Sequence, residues 1–155
     1  WGRGFESSRA RAIIRFSVIE FNMSINLILI LISIWVGVII FFSAIIAPTV
    51  FKSLPEKEAG AFLRSFFPKY YNFGLAIGII SVIYLLYVSI SNNLLYMVIT
   101  MTLLTLISKI LIPHINSARD CGESGKNKFK QLHLLSVILN VITLILGVAL
   151  LVIYI

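Results

Sequence analysis

The chain has 155 residues, of which 59% are hydrophobic and 12% charged, and its formal net charge is +7. An average soluble domain is about 25% charged, so a water-soluble fold of this length has too little interior to bury so much apolar surface. A basic net charge is also typical of nucleic-acid-binding proteins, but here Lys and Arg lie in short blocks between apolar runs. Membrane topology explains that distribution, so we expect an integral membrane protein and no nucleic-acid partner.

Residues 1–22 differ from the rest of the chain. They carry four arginines, contain no continuous apolar core of signal-peptide length, and precede Met23. We expect an N-terminal extension upstream of a true start at Met23. The alternative is an amphipathic arm that lies at the membrane interface.

Four apolar segments follow, near residues 25–47, 71–90, 94–112 and 132–154, and no acidic residue lies inside them. A helix needs about 20 apolar residues to cross the hydrocarbon layer. Because lipid offers unpaired backbone groups no partner, an open-ended spanning segment must be helical. The sequence therefore predicts an all-α fold, with a four-helix transmembrane domain over residues 23–155.

The loop between the first two spans is predicted to contain a short helix. Its apolar residues recur at helical spacing: Ala59, Phe62, Leu63 and Phe66. Lys57 and Arg64 lie on other faces, and Pro68 is expected to end the helix. We expect a short helix at the membrane interface between helices 1 and 2. A loop that packs on the bundle is the alternative.

Basic residues are concentrated in two loops. The first and third loops carry nine of them: Lys52, Lys57, Arg64, Lys69, Lys109, Arg119, Lys126, Lys128 and Lys130. Both loops lie on one side of a four-span bundle, and cytoplasmic loops are enriched in Lys and Arg. We expect loops 1 and 3 to be cytoplasmic and both termini to lie outside, in a prokaryotic inner membrane.

Small residues predict where the helices approach each other. Gly74 and Gly78 form a GxxxG pair in the second span, Gly37 lies in a stripe of small residues in the first span, and Gly147 lies in the fourth. Small side chains let helix backbones come close, which drives association inside lipid. We expect these four glycines to mediate helix packing.

The fourth span carries a polar stripe, His133, Ser136, Asn140 and Thr143, continued by Gly147. The spacings of three and four residues place all of them on one face of a helix. A polar group turned towards lipid is costly, so the stripe should face the bundle. Two interpretations are open: the stripe forms hydrogen bonds that hold helices together, or it lines a cavity in which His133 handles protons or binds haem or a metal.

Few residues are candidate metal ligands. His114 and Cys121 are expected at the same end of the bundle as His133, but their spacing matches no standard zinc motif. Met97 and Met101 share a helix face, and two thioethers are suitable ligands for Cu(I), but packing is the favoured interpretation of this pair. The sequence has no P-loop, HExxH or GxSxG motif. Haem and copper therefore stay as cofactor candidates, with His133 and His114 as ligands.

Three stretches in the same order, WVGVIIFFSAIIAPTVF, AGAFLRSFFPKYY and QLHLLSVILN, resemble the transmembrane-protein-205-like family, also called domain of unknown function 4149. The resemblance implies a four-helix membrane protein whose activity is poorly defined. The W-x-G…F start is more distantly similar to copper-resistance D proteins and to the bacterial haem-dependent protoporphyrinogen oxidase. Those proteins place histidines in or beside their first helix, where this chain has none.

These observations lead to one functional expectation and two alternatives. We expect a non-enzymatic accessory or interaction subunit, whose partner is another membrane protein or a second copy of the chain. The first alternative is a haem- or metal-linked membrane protein that uses His133. The second is a small exporter with a cavity lined by the fourth helix.

Overall fold

The structure, a computed structural model, describes residues 23–89 and 92–155. It contains four long helices: α1 (Met23–Ser53), α2 (Glu56–Val88), α3 (Asn92–Asp120) and α4 (Lys126–Tyr154). A 3-10 turn, Gly122–Gly125, joins α3 to α4. This part of the chain has no strand, and each of the four helices is long and apolar enough to cross a membrane. The predicted all-α membrane four-helix bundle is confirmed, whereas the predicted extension, residues 1–22, lies outside the described residues.

Helix α1 runs past the point where the sequence predicted its end. Residues Phe42–Ile46 form a π-helical turn, in which the N–H of Ala47 bonds to the carbonyl of Phe42. Pro48 then lies in the first turn of an α-helical stretch that reaches Ser53. A proline has no N–H to donate, and it is tolerated in a first helical turn. The π turn resets the hydrogen-bonding pattern at that position, so the helix continues.

The segment that was predicted as a separate interfacial helix is the first part of α2. Helix α2 is continuous from Glu56 to Val88, with Pro68 inside it. Proline in a helix interior costs about 3 kcal/mol. On either side of it, however, Phe67 and Tyr70 pack against Phe42 of α1, with ring centroids 5.4 and 5.2 Å apart. This aromatic packing offsets the cost, so the structure corrects the separate helix to a continuous one.

One end of the bundle is tightly packed, and we call it the closed end. It lies where α1 and α3 begin and α2 and α4 end. Four apolar side chains there are fully buried: Ile28, Leu94, Val98 and Leu150. The hydroxyl of Tyr84 on α2 donates to Ser24 Oγ on α1 at 3.0 Å. This end therefore has an apolar core, and the hydrogen bond from Tyr84 to Ser24 joins α2 to α1 there.

Three of the four predicted packing glycines lie where helices touch. A Cβ added at Gly74 would lie 2.7 Å from Nε1 of Trp35 on α1 and 3.3 Å from Cγ2 of Thr105 on α3. The other two meet these side chains: Gly78 lies against Thr102, and Gly147 lies against Val36 and Met101. At these positions a side chain would push two helices apart.

Gly37 does not follow that expectation. It is exposed, and a Cβ added there would meet nothing within 4 Å among the described residues. Helical spacing shows which small residues share a face, but it does not show whether another helix covers that face. The structure corrects the prediction for Gly37, which faces away from the three other helices.

The opposite end of the bundle, which we call the open end, carries the basic loops. Here Arg64 of α2 donates to both carboxylate oxygens of Asp120 on α3, at 3.1 and 2.6 Å. Large aromatic residues of α2 fill the space towards α1: Phe62, Phe66, Phe67, Tyr70 and Tyr71, all grouped around or next to Phe42. Their bulk holds the helices apart, and the candidate site lies between them.

Candidate functional site

A cavity of about 640 Å³ opens at the open end, and we call it the rim cavity. Its walls come from all four helices: Phe51 of α1, Phe67 and Tyr71 of α2, Ile112 and Arg119 of α3, and Phe129, His133 and Ser136 of α4. The charged side chains along its edge are Glu56, Arg64, Arg119, Glu123 and Lys126. The rim cavity is thus apolar and aromatic on the inside and charged at its mouth.

A second cavity of about 260 Å³, the inner cavity, lies between α1 and α4 deeper in the bundle. Its lining is mainly apolar: Ile39, Phe42 and Ala47 of α1, and Val137, Val141 and Leu144 of α4, with Ser43 and Asn140 among them. Six residues line both cavities: Phe51, Leu63, Phe67, Tyr71, His133 and Ser136. The two cavities therefore adjoin each other and form one two-part site.

Two residues of the polar stripe bond to α2. The hydroxyl of Tyr70 donates to Asn140 Oδ1 at 3.2 Å, and the hydroxyls of Tyr71 and Ser136 lie 3.1 Å apart, in hydrogen-bonding contact. The buried Thr143 donates instead to the carbonyl of Leu139 in its own helix at 2.9 Å. Ser136 and Asn140 thus act as interhelical contacts and as cavity lining together, so the two interpretations of the stripe are compatible.

His133 lies at the junction of the two cavities and is exposed. Its ring stacks on Phe129, four residues earlier in α4, with centroids 5.7 Å apart and planes 2° from parallel. His114 is also exposed, but it lines neither cavity. The structure therefore places the two predicted haem or metal ligands in different surroundings.

The metal-ligating residue types do not cluster in the described part of the chain. Within residues 23–89 and 92–155, no three His, Cys, Asp or Glu side chains lie close enough to hold a metal ion. Cys121 is exposed, at the start of the turn into α4. Of the two candidate copper thioethers, Met101 is fully buried in the core and packs near Gly147. Its burial is accounted for by packing.

The edge of the rim cavity contains a residue that the sequence did not single out. Arg119 of α3 reaches across to the first turn of α2, where its Nη2 lies 3.4 Å from the carbonyl oxygen of Glu56 and 3.9 Å from Oε1 of the same residue. Its guanidinium also lies 6.0 Å from the ring centroid of Phe129. Gly60 is the residue beneath it, because a Cβ there would lie 2.6–2.7 Å from three guanidinium atoms.

The tyrosines that bond to the stripe were also missed as site residues. Tyr70 and Tyr71 are buried, and they lie two and three residues after Pro68 in α2. Two adjacent phenols at the start of an apolar run are a usable signal, since buried Tyr hydroxyls need partners. Arg119 and Gly60 offer no such local signal, because they are 59 positions apart in the numbering and meet only in the folded chain.

Comparisons with known proteins identify a family but no relative. Neither the curated proteins nor the solved structures contain a match to the chain. A family model described as "Domain of unknown function (DUF4149)" matches residues 30–124. The matched region includes all of α2 and α3, and therefore Gly60, Tyr70, Tyr71 and Arg119, whereas α4 follows it. Because this match spans more than half of the chain, the protein belongs to the DUF4149 family of unknown function.

Proposed function

We propose that the protein is a non-enzymatic membrane subunit that binds a small amphipathic molecule in the two-part site at its open end. The observation that carries the proposal is the continuity of a charged rim cavity of about 640 Å³ with a mainly apolar inner cavity of about 260 Å³. Ligand pockets are concave, mostly apolar, and carry a few placed polar groups. Among the polar lining groups, Tyr71 and Ser136 bond to each other and Asn140 accepts a hydrogen bond from Tyr70 behind the cavity wall, which suits shaping a site rather than reacting.

Closing the inner cavity tests this proposal. Ala47 lines the inner cavity, whereas Ala44, on the same helix, is exposed and lines neither cavity. We expect native mass spectrometry of the detergent-purified protein to detect one retained molecule of a single-chain lipid, added as lysophosphatidylglycerol or lysophosphatidylcholine. Ala47→Trp should abolish this retention, and Ala44→Trp should leave it unchanged. Equal retention by both variants, or no retention by the wild type, contradicts the proposal.

An exporter would need a second state in which the closed end opens. The two-part site supports that alternative only in part, since the cavities described above adjoin the open end. Transport of the retained lipid across proteoliposome membranes would favour an exporter. Binding without transport would favour an accessory or interaction subunit, and co-purification of a stoichiometric partner in mild detergent would strengthen that function.

A haem- or metal-linked protein is the second candidate, and the position of His133 favours it. His133 lines both cavities, and its neutral imidazole is a common haem and metal ligand. An optical spectrum and a metal analysis of the purified protein test this function. A Soret band that His133→Ala abolishes and His114→Ala preserves would support haem binding in the cavity. A colourless and metal-free protein would contradict it.

We also propose that the open end faces the cytoplasm of a prokaryotic cell. The proposal is supported by the nine basic residues of loops 1 and 3, which belong to this end, and by the positive-inside rule. In intact cells, a cysteine at position 92 (Asn92→Cys in a Cys121→Ser background) should react with an impermeant thiol reagent. Native Cys121 should react only after permeabilisation. The reverse pattern contradicts this orientation.

A further inference from the structure

The two parts of the site differ in chemistry. The rim cavity has three cationic side chains at its edge, Arg64, Arg119 and Lys126, together with the carboxylates of Glu56 and Glu123. The lining of the inner cavity contains no Asp, Glu, Lys or Arg. A molecule that fills both parts must therefore have a polar head and an apolar chain.

The three cationic side chains at the rim differ in how closely they are paired with carboxylates. Arg64 is held by both oxygens of Asp120, and Lys126 lies 3.2 and 3.3 Å from the two oxygens of Glu123. Arg119 has only the 3.9 Å approach to the carboxylate of Glu56, a side chain that is 96% exposed. Exposed ion pairs contribute little, so Arg119 is the rim cation with the weakest hold on a carboxylate.

The guanidinium of Arg119 nevertheless has a defined place. It lies over the missing side chain of Gly60 and faces the ring of Phe129. Its side chain is 34% exposed, so it is held between α2 and α4 and still reaches the cavity. A positioned guanidinium with free donors is suited to bind phosphate or carboxylate oxygens.

The inner cavity indicates where the rest of the ligand lies. Its α4 wall includes Val137 and Val141, which are 43% and 47% exposed on a helix that crosses the membrane. An acyl chain that enters between α1 and α4 would pack against these apolar groups and against the α1 wall of the cavity. A free anion would occupy the rim and leave the inner cavity unfilled.

We infer that the site binds a lipid with an anionic headgroup, whose head is held by Arg119 on Gly60 at the rim and whose chain lies in the inner cavity between α1 and α4. This inference rests on the proposed function and names its ligand class. The headgroup is on the same side as the basic loops, so the lipid comes from the leaflet that faces the open end. Glu56 and Glu123 line the same cavity, but the carboxylate of Glu123 is paired with Lys126 and the side chain of Glu56 is 96% exposed, where water screens its charge.

A competition between two lysolipids tests the headgroup. The detergent-purified protein is mixed with equal amounts of lysophosphatidylglycerol, which is anionic, and lysophosphatidylcholine, which is zwitterionic. Native mass spectrometry then gives the ratio of the two bound species. We expect the wild type to prefer the anionic lipid by about tenfold, because the phosphodiester of either lipid accepts from Arg119, whereas the trimethylammonium of lysophosphatidylcholine is repelled by the rim cations. A ratio near one in the wild type would overturn the anionic headgroup while leaving the proposed cavity intact.

Three variants distinguish a specific role of Arg119 from a general effect of positive charge on lipid binding. Arg119→Gln should bring the ratio close to one. Lys109→Gln removes one positive charge from the same helix at a residue that lines neither cavity, so it should keep the preference. Gly60→Ala should lower the ratio with no change in charge, because its Cβ displaces the guanidinium. An unchanged ratio in both Arg119→Gln and Gly60→Ala, or an equal loss in Lys109→Gln, overturns the role of Arg119.

Competition with inorganic phosphate tests whether the bound anion is a lipid headgroup or a soluble ion. An excess of phosphate should leave the bound lysophosphatidylglycerol in place, because phosphate cannot occupy the inner cavity. Complete displacement would overturn the lipid and favour a soluble anion. If neither lysolipid binds to the wild type above the level of Ala47→Trp, the proposed function itself fails, and that result is distinct from a lost headgroup preference.

Discussion

The closed and open ends of this bundle are built from the same four helices but differ in side-chain size along α2. Towards the closed end α2 presents Gly74, Gly78 and the fully buried Ser81. Towards the open end it presents Tyr70 and Tyr71, which continue the aromatic group around Phe42. Small residues bring helices together and large ones separate them. The change in size over one turn of α2 therefore produces a bundle that is packed at one end and open at the other.

The two ends also use polar residues differently. Towards the closed end, the hydroxyls of Thr100 and Thr102 bond to carbonyls of their own helix, and Tyr84 of α2 donates to Ser24 of α1. At the open end, Tyr70 and Tyr71 bond across to α4 and so act as spacers of fixed length. The polar stripe of α4 therefore lies at the boundary between the closed end and the open end. The predictions below disturb each side of that boundary in turn.

The largest effect is expected from a side chain at the narrowest helix contact. Gly74→Leu would place atoms where Trp35 and Thr105 already lie, so α2 must move away from α1 and α3. We expect a loss of about 3 kcal/mol, at the upper end of what overpacking costs, measured by reversible unfolding in mixed detergent micelles. Gly37→Leu adds the same atoms to an open face and should leave stability unchanged or raise it by up to about 1 kcal/mol, because it removes a glycine from a helix. Equal destabilisation by the two variants would contradict the assignment of Gly74 to a tight contact between helices.

Truncation of the closed core should have the next largest effect. Leu150 is fully buried, and Leu150→Ala leaves a void among packed side chains. Because lipid is as apolar as leucine, the cavity contribution dominates, and we expect a loss of about 2 kcal/mol. Leu144→Ala, on the same helix, only enlarges the inner cavity and should cost about half as much. Unfolding measured under one set of detergent conditions compares the two, and a larger loss for Leu144→Ala would show that the inner cavity is not preformed.

Hydropathy and helical spacing were sufficient to predict the four spans and the face that the polar stripe presents to α2. Both features depend on local periodicity, which lipid enforces strictly. The helix ends were not predictable: spans were expected to end near residues 47 and 112 and a short helix at Pro68, yet Pro48, Pro68 and Pro113 all lie within helices. A π turn and aromatic packing compensate for two of them, and neither compensation is visible in a local sequence window.

The rest of the site depends on contacts that no local pattern contains. Gly60 and Arg119 lie on different helices and meet only because α2 and α3 are antiparallel neighbours. Gly37 and Gly74 look equivalent in sequence, and only the arrangement of the helices distinguishes the open face from the closed contact. The ligands of a haem or metal, and the orientation in the membrane, stay predictions.

The energy of the hydrogen bond between Tyr70 and Asn140 tests whether Tyr70 holds α2 and α4 at a fixed distance. A double-mutant cycle with Tyr70→Phe and Asn140→Ala isolates its energy, provided that neither change creates new contacts. Interhelical hydrogen bonds in membranes average about 0.6 kcal/mol and reach about 1.7 kcal/mol. We expect a coupling within that range from unfolding in mixed micelles. Leu144→Ala combined with Tyr70→Phe serves as a control pair that makes no hydrogen bond, and an equally large coupling there would assign the effect to packing.

The smallest expected change in stability has the opposite sign and comes from the rim. Gly60 lies inside α2, where glycine is less favourable than alanine by about 0.5–1 kcal/mol. The nearest atoms that an added Cβ meets belong to the flexible end of Arg119, which can turn aside at little cost. Gly60→Ala should therefore leave the protein as stable as the wild type or raise its stability by up to about 1 kcal/mol, while the preference for the anionic lysolipid falls.

Ala61→Gly provides the matched control for that last prediction. Ala61 is exposed on the same turn of α2, so its replacement should lower stability by about 0.5–1 kcal/mol and keep the headgroup preference, because Arg119 is not displaced. Gly60→Ala would then lose the headgroup preference without losing stability, whereas Ala61→Gly would lose stability without losing the preference. If Gly60→Ala loses both stability and the headgroup preference, Gly60 serves helix packing, as the glycines towards the closed end do. If it loses only the preference, Gly60 is glycine because Arg119 needs the space.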